Sequence, residues 1–85
     1  MPMPNLDLYR RAVTLLMQAR KAQGLSIADV AAKLGFAVDF VDAYETGCWR
    51  LDPAEYVAIA RLIGVDPYEL LQQAEEEVGW GREPT

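Results

Sequence analysis

The 85-residue sequence contains no histidine and a single cysteine, Cys48. Without histidine the chain lacks the usual general base near neutral pH and a common ligand of zinc. A lone cysteine cannot close an internal disulfide, which fits a reducing compartment. A phosphate-binding glycine loop is also missing. We therefore expect a protein that is not an enzyme and that holds no cofactor and no metal.

Long apolar runs are absent too. No stretch approaches the roughly 20 residues of a membrane-spanning helix. The first residues, MPMPNLDLYRR, lack the basic-then-apolar order of a signal peptide. These absences predict a cytoplasmic protein without a membrane segment. The chain length leaves room for one domain with one small core.

Positive charge is scarce as well. Eight lysines and arginines face 13 aspartates and glutamates, so the net charge is −5, which is unfavourable for a nucleic-acid binder. The charge is distributed unevenly: residues 1–24 carry four basic side chains and one acidic one, whereas residues 65–85 carry one basic and six acidic ones. Most of the negative charge can therefore lie away from a binding surface.

What the sequence does contain is helical periodicity, and no strand pattern occurs. After a flexible N-terminal segment over residues 1–5, the first helix is predicted over about 6–23, with Asn5 or Asp7 as its cap. Gly24 ends this helix. Its buried stripe is predicted at Leu8, Ala12, Leu15, Leu16 and Ala19.

The stretch SIADVAAKLGFAVDFVDAYETG, residues 26–47, predicts two short helices joined by a tight turn. Ser26 and Asp29, three residues apart, form a capping-box pattern. Gly35 supplies the turn, because glycine adopts a positive φ without steric cost, and Gly47 ends the second of the two helices. The inward positions are predicted at Val30, Ala31 and Leu34, then at Phe36, Val41 and Tyr44.

Two further helices are indicated by the same start signal. Residues 52–55, DPAE, and residues 66–69, DPYE, each offer a capping aspartate, a proline at the first helical position and an acidic residue at the third. The domain is thus predicted over residues 6–78, followed by a tail over residues 79–85. The predicted buried faces are Tyr56, Ile59, Ala60 and Ile63, then Tyr68, Leu70, Leu71 and Ala74.

The order and spacing of these signals resemble the Cro/cI-like, or XRE, family of regulators over about residues 15–71. The resemblance implies an all-α fold, a compact five-helix bundle with a helix-turn-helix, like the DNA-binding domain of lambda repressor. It also implies an ion pair between Arg20 and Glu45 that joins the first helix to the end of the third; two separate solvated charges are the alternative. The resemblance rests on Arg20, Gly24-Leu25-Ser26, Val30-Ala31, Leu34-Gly35, Val41, Glu45-Thr46-Gly47, Ile59-Ala60 and Ile63-Gly64-Val65.

In this family the start of the second helix and the exposed face of the third contact DNA, and the loop before the fourth flanks it. The resemblance therefore implies a sequence-specific transcriptional regulator whose third helix, about 38–46, enters the major groove. Double-stranded DNA and a second copy of the chain are the expected partners. The candidate phosphate contacts are Lys33, Arg10, Arg11 and Arg50, of which Arg50 is the best placed; ordinary solvated charges are the alternative for each. The predicted DNA-contacting residues are Ile27, Lys33, Ala37, Val38, Asp39, Asp42, Ala43 and Arg50.

The chemistry at these positions departs from the family pattern. Ile27 stands where glutamine is frequent and Ala37 where serine is frequent. The base-reading positions offer none of the side chains that commonly pair with guanine or adenine, since ionised Asp39 and Asp42 only accept hydrogen bonds.

An alternative hypothesis follows from this departure. The fold is then a protein-interaction module, such as an anti-activator, an antirepressor or a cofactor, with weak or no DNA binding. Its partner is a protein held through the third helix, unless Phe40 and Val38 merely extend the core. The predicted protein-contact face comprises Ile27, Val38, Asp39, Phe40 and Asp42.

Overall fold

A computed structural model describes residues 4–79, and all regular structure in this part of the chain is helical. The all-α, five-helix prediction is confirmed, and no strand occurs within the described range. The helices are α1 (Pro4–Ala22), α2 (Ile27–Leu34), α3 (Val38–Thr46), α4 (Pro53–Ile63) and α5 (Pro67–Val78). The most extensive packing joins α1 to α5, and α2 packs on both α3 and α4.

The start of α1 differs from the prediction. The helix already includes Pro4, where the described range starts, so Asn5 lies inside the helix and Asp7 lies in a helical turn. Neither residue therefore precedes the helix as its cap. Residues 1–3 and 80–85, including Trp80 and nearly all of the predicted tail, lie outside the described range.

The predicted caps of the other helices are present. In α2 the Ser26 hydroxyl accepts from the Asp29 N–H at 3.0 Å, and the Asp29 carboxylate accepts from the Ser26 N–H at 2.9 Å. Asp52 and Glu55 form the same reciprocal box in α4, at 2.7 and 2.9 Å. Asp66 caps α5 by accepting from two backbone N–H groups. Local sequence therefore fixes where three of the five helices begin.

One core joins the helices. Most predicted inward residues from α1 to α5 are buried, and Leu16, Val30, Val41, Tyr44 and Ile59 are almost fully enclosed. Four others are only partly buried against this core: Leu8, Ala19, Leu34 and Leu71. Val13 and Leu51 are also buried, although the sequence pattern did not select them.

Two predicted inward positions are wrong. Phe36 is 53% exposed because it lies in the turn between Gly35 and the extended Ala37, where helical periodicity does not apply. Tyr68 is 63% exposed, and its ring centre lies 5.9 Å from the guanidinium carbon of Arg61 on the outer surface.

A buried ion pair ties α1 to the end of α3. Arg20 donates to both carboxylate oxygens of Glu45, at 2.7 and 3.1 Å, and also to the carbonyl of Leu25 at 2.8 Å. Only 9% of the Arg20 side chain and 6% of the Glu45 side chain are exposed. The predicted pair is therefore confirmed, and the guanidinium fork fixes α3 against the loop that precedes α2.

Helix α3 begins without a side-chain cap. Ala37 has the extended conformation of an N-cap residue, φ −71° and ψ 152°, but its methyl side chain cannot accept a hydrogen bond. We expect Ala37→Ser to raise the free energy of unfolding by about 0.5–1 kcal/mol, because a serine cap satisfies one free N–H of the first turn. Urea unfolding followed by circular dichroism measures this gain. Ala32→Ser, at an exposed position inside α2, is the control and should cost a few tenths of a kcal/mol; an Ala37→Ser protein no more stable than the parent contradicts the expectation.

Candidate nucleic-acid interface

The turn between α2 and α3 sets the direction of α3. Gly35 has φ 77°, and its N–H donates to the carbonyls of Ala31 and Ala32. The N–H of Phe36 donates to the Ala31 carbonyl at 3.0 Å, so the end of α2 is satisfied within the turn. With Val41 and Tyr44 buried against the other helices, the opposite side of α3 faces solvent.

The outer face of α3 is acidic and apolar. Val38 is 49% exposed, and Asp39, Asp42 and Thr46 are also exposed, while Ala43 is half-buried. Thr46 was missed in the sequence and belongs to this face, but its hydroxyl donates to the Asp42 carbonyl at 2.9 Å. The face thus offers two carboxylates as acceptors and small apolar groups for contact.

The predicted positions on α2 have different surroundings. Ile27 is half-buried and packs against the core, so only part of its side chain is available to a ligand. Lys33, in the last turn of α2, is exposed.

The two apolar residues that α3 contributes to the predicted protein-contact face also differ, since Phe40 packs against the core and Val38 does not. The five residues of the predicted protein-contact face are therefore not equally accessible to a partner.

Two arginines flank a cleft of about 440 Å³ between α1 and the C-terminal end of α3. The guanidinium carbon of Arg50 lies 5.2 Å from the ring centre of Tyr9. The Tyr9 hydroxyl accepts from the Leu51 N–H at 2.9 Å, which fixes the loop carrying Arg50 to α1. Arg10 lies on α1 at the same cleft, and its side chain is exposed.

Within residues 4–79, neither Arg10 nor Arg50 has a carboxylate at ion-pair distance, because the pairs formed are Arg11–Glu77 and Arg20–Glu45. The structure therefore brings together two positive charges that are distant in sequence. Both arginines were candidate phosphate contacts from the sequence, but their proximity was not predicted, since 40 residues separate them. Guanidinium groups bind phosphate through paired hydrogen bonds.

Two buried tyrosines differ in how their hydroxyls are satisfied. The Tyr56 hydroxyl donates to the Pro67 carbonyl at 2.6 Å, whereas the buried Tyr44 hydroxyl has no hydrogen-bond partner among the described residues. Burial raises the pKa of both tyrosines to about 12, helped by Glu45 at Tyr44 and by Asp66 at Tyr56. An unfolded tyrosine loses its proton near pH ~10, so stability from these residues is full below that pH and is lost as the pH rises to about 12.

The two hydroxyls should respond differently to removal. We expect Tyr56→Phe to lower the free energy of unfolding by about 1 kcal/mol, because a good hydrogen bond is lost. We expect Tyr44→Phe to leave stability unchanged or to raise it by about 1 kcal/mol, because an unsatisfied buried hydroxyl is removed. Urea unfolding of the two variants beside the parent tests this contrast, and equal losses in both would contradict it.

Comparison with known proteins agrees with this architecture. The family model of the helix-turn-helix domain matches residues 11–73. A solved structure of an XRE-family like protein from Pseudomonas syringae pv. tomato str. DC3000 is 38% identical, with a TM-score of 0.78. The match covers 82% of this chain and 85% of that chain. No curated protein matches the chain.

The fold and the exposed second helix of the motif define a helix-turn-helix protein. The chain belongs to the XRE-type family of helix-turn-helix regulators. This is a family of DNA-binding regulators whose members are typically not enzymes. No helix within residues 4–79 is long and apolar enough to cross a membrane. No cluster of potential metal ligands occurs in that range either.

Proposed function

We propose that this protein is a cytoplasmic, sequence-specific transcriptional regulator of the Cro/cI type that presents α3 to the major groove of DNA. The observation that carries the proposal is the outward face of α3, held rigidly by Gly35 at one end and by the Arg20–Glu45 pair at the other. An α-helix fits the major groove, where each base pair has a distinct pattern of donors and acceptors.

The side chains on α3 restrict which bases they can recognise. Asp39 and Asp42 accept hydrogen bonds from the amino group of cytosine, and Val38 and Ala43 contact the methyl group of thymine. Such a surface distinguishes one base from another through only a few contacts. We therefore propose preference for sites in which cytosine and thymine lie opposite α3.

Affinity for the phosphate backbone of DNA then depends on a small number of positively charged side chains. Arg50 and Arg10 flank the cleft beside the end of α3, and Lys33 is exposed on α2. If each neutralises one phosphate, the three contacts give a log–log salt slope of about −2.7 for each protomer, or a loss of about 40-fold in affinity between about 50 and 200 mM salt. In this proposal Ile27, at the start of α2, and Ala37, at the start of α3, also lie near the duplex.

Fluorescence-anisotropy titration with a mixed-sequence duplex tests the phosphate contacts. We expect Arg50→Ala to make the salt slope shallower by about 0.9, because one phosphate contact is lost. Arg61→Ala is the matched control, since Arg61 is exposed but lies beside Tyr68 at the α4–α5 corner. Its slope should equal that of the parent. Parent protein without salt-dependent binding contradicts the proposed function, and equal slopes for both variants remove Arg50 from the interface.

A second candidate function is a protein-interaction module with weak or no DNA binding. It is favoured by a specific observation, the acidic and apolar outer face formed by Val38, Asp39 and Asp42. Carboxylates repel phosphates, whereas an apolar patch edged by charge is typical of protein contacts. Absence of DNA affinity at the lowest salt concentration would favour this second function. Assembly of two copies stays a prediction under either function.

A further inference from the structure

An aromatic groove lies beside the helix-turn-helix, on the side of α3 that faces α4. It has a volume of about 230 Å³, and its lining is mostly apolar. Phe36 and Phe40 both line it, with ring centres 4.9 Å apart and ring planes inclined at 42°. The lining residues are Leu34, Phe36, Phe40, Ala54, Glu55, Ala58 and Ile59.

Exposed aromatic surface continues beyond this groove. Phe36, which lines it, is 53% exposed, and Trp49 is 50% exposed. The Trp49 ring centre lies 6.3 Å from that of Phe40, so the two aromatic residues extend the groove toward the loop before α4. Contiguous exposed apolar surface of this kind marks interaction sites more often than scattered single residues do.

The groove is too small for an ordinary small-molecule site. Pockets for drug-sized ligands usually occupy about 300–1,000 Å³ and enclose most of the ligand. A groove of about 230 Å³ is better matched to one large side chain of a partner. Buried aromatic or aliphatic anchors of this type contribute most of the affinity in many protein interfaces.

The acidic side chains around the groove indicate the charge of its partner. Glu55 lines the groove, and no lysine or arginine does so among the residues the structure describes. Asp39 precedes Phe40 directly, and Asp52 shares its capping box with Glu55. A two-fold contact between two copies would bring the same acidic residues together, which is unfavourable. A basic partner is attracted instead.

We propose that the aromatic groove binds a short segment of another protein that carries one large apolar anchor flanked by lysine or arginine. The anchor enters between Phe36 and Ala58, and the flanking cations lie near Glu55 and its capping-box partner Asp52. The proposal does not depend on DNA binding, because the base-facing side chains of α3 point to a different side of the helix from Phe40. A regulator of the proposed type can therefore contact a protein through this groove while α3 faces DNA.

Selection from a random 12-residue peptide library on the DNA-free protein tests the groove. We expect the selected peptides to share a large apolar residue with nearby lysine or arginine, and to bind more weakly as salt is raised. Fluorescence polarisation then compares variants with a selected peptide. Ala58→Trp fills the groove from an exposed position and should weaken binding at least about tenfold, the loss expected on removing an anchor contact worth about 1.4 kcal/mol.

Two further variants complete the test. Ala22→Trp adds the same side chain at an exposed position at the end of α1, away from the groove, and should bind the peptide like the parent. Phe36→Ser removes part of the groove wall and should also weaken binding, while circular dichroism confirms that each variant is folded. The proposal is overturned if no peptide is enriched, if the enriched peptides are acidic, or if folded Ala58→Trp binds them as well as Ala22→Trp does.

Discussion

Replacing Glu45 with alanine is expected to lower the free energy of unfolding by about 3–5 kcal/mol, because the buried guanidinium of Arg20 is left without its carboxylate. For a domain of this size the loss corresponds to a fall in Tm of about 15–30 °C. The geometry explains the size of the effect. Arg20 makes two hydrogen bonds to Glu45 and a third to the Leu25 carbonyl, and water cannot replace the carboxylate at a side chain that is only 9% exposed. Thermal and urea unfolding by circular dichroism measure the loss.

A second, more exposed ion pair serves as the control for the buried one. Arg11 and Glu77 are 3.3 Å apart, but their side chains are 42% and 35% exposed, so solvent screens the interaction. Glu77→Ala should therefore change stability by less than about 1 kcal/mol. A double replacement, Arg20→Met with Glu45→Leu, removes both buried charges and should recover most of the stability that Glu45→Ala loses. A Glu45→Ala protein as stable as Glu77→Ala would show that the buried pair does not hold α3 in place.

Replacing Asp39 and Asp42 together with asparagine is expected to raise affinity for mixed-sequence DNA about 30-fold at low salt. Each carboxylate that faces the duplex costs on the order of 1 kcal/mol through repulsion by phosphates in a high-dielectric setting. Asparagine keeps a similar shape, removes the charge and adds an amide donor that can pair with adenine. Sequence preference should change at the same time, because the original acceptors for cytosine are altered.

The control for this double replacement is a variant with the same change in net charge on a distant surface. Glu69→Gln with Glu75→Gln provides it, since both residues lie on α5 and away from the helix-turn-helix. Anisotropy titrations of both double variants against one duplex should show the gain only for the α3 pair. An equal gain in both proteins would mean that net charge, rather than the face of α3, limits DNA binding. No gain in the α3 variant would remove this face from the interface.

Local signals in the sequence predicted much of the fold. A capping box depends on residues three positions apart, so Ser26–Asp29 and Asp52–Glu55 are visible without a structure. The ends of α2 and α3 at Gly35 and Gly47 are equally local, because a left-handed φ at these positions requires glycine. The start of α1 was predicted too late, because Asn5 and Asp7 are both good capping residues and nevertheless lie within the helix.

The features that depend on tertiary contacts were less predictable. The Arg20–Glu45 pair joins residues 25 positions apart and was expected only through the family resemblance. Phe36 was placed in the core although it lies in a turn, where side-chain direction depends on the neighbouring α4. The cleft between Arg10 and Arg50 exists because Tyr9 holds the distant loop against α1. The predicted DNA contacts themselves remain predictions, since the structure locates them without showing a ligand.

The most direct test of the account is a ¹H–¹⁵N NMR titration of the labelled protein with duplex DNA at low salt. If α3 faces DNA, amide shifts should move along residues 37–46, at the start of α2 near Ile27 and at Arg50, and the shifts should reverse as salt is added. The amides of α5 should stay in place. Shifts that are absent throughout, or confined to the aromatic groove around Phe36 and Ala58, would contradict DNA binding through α3.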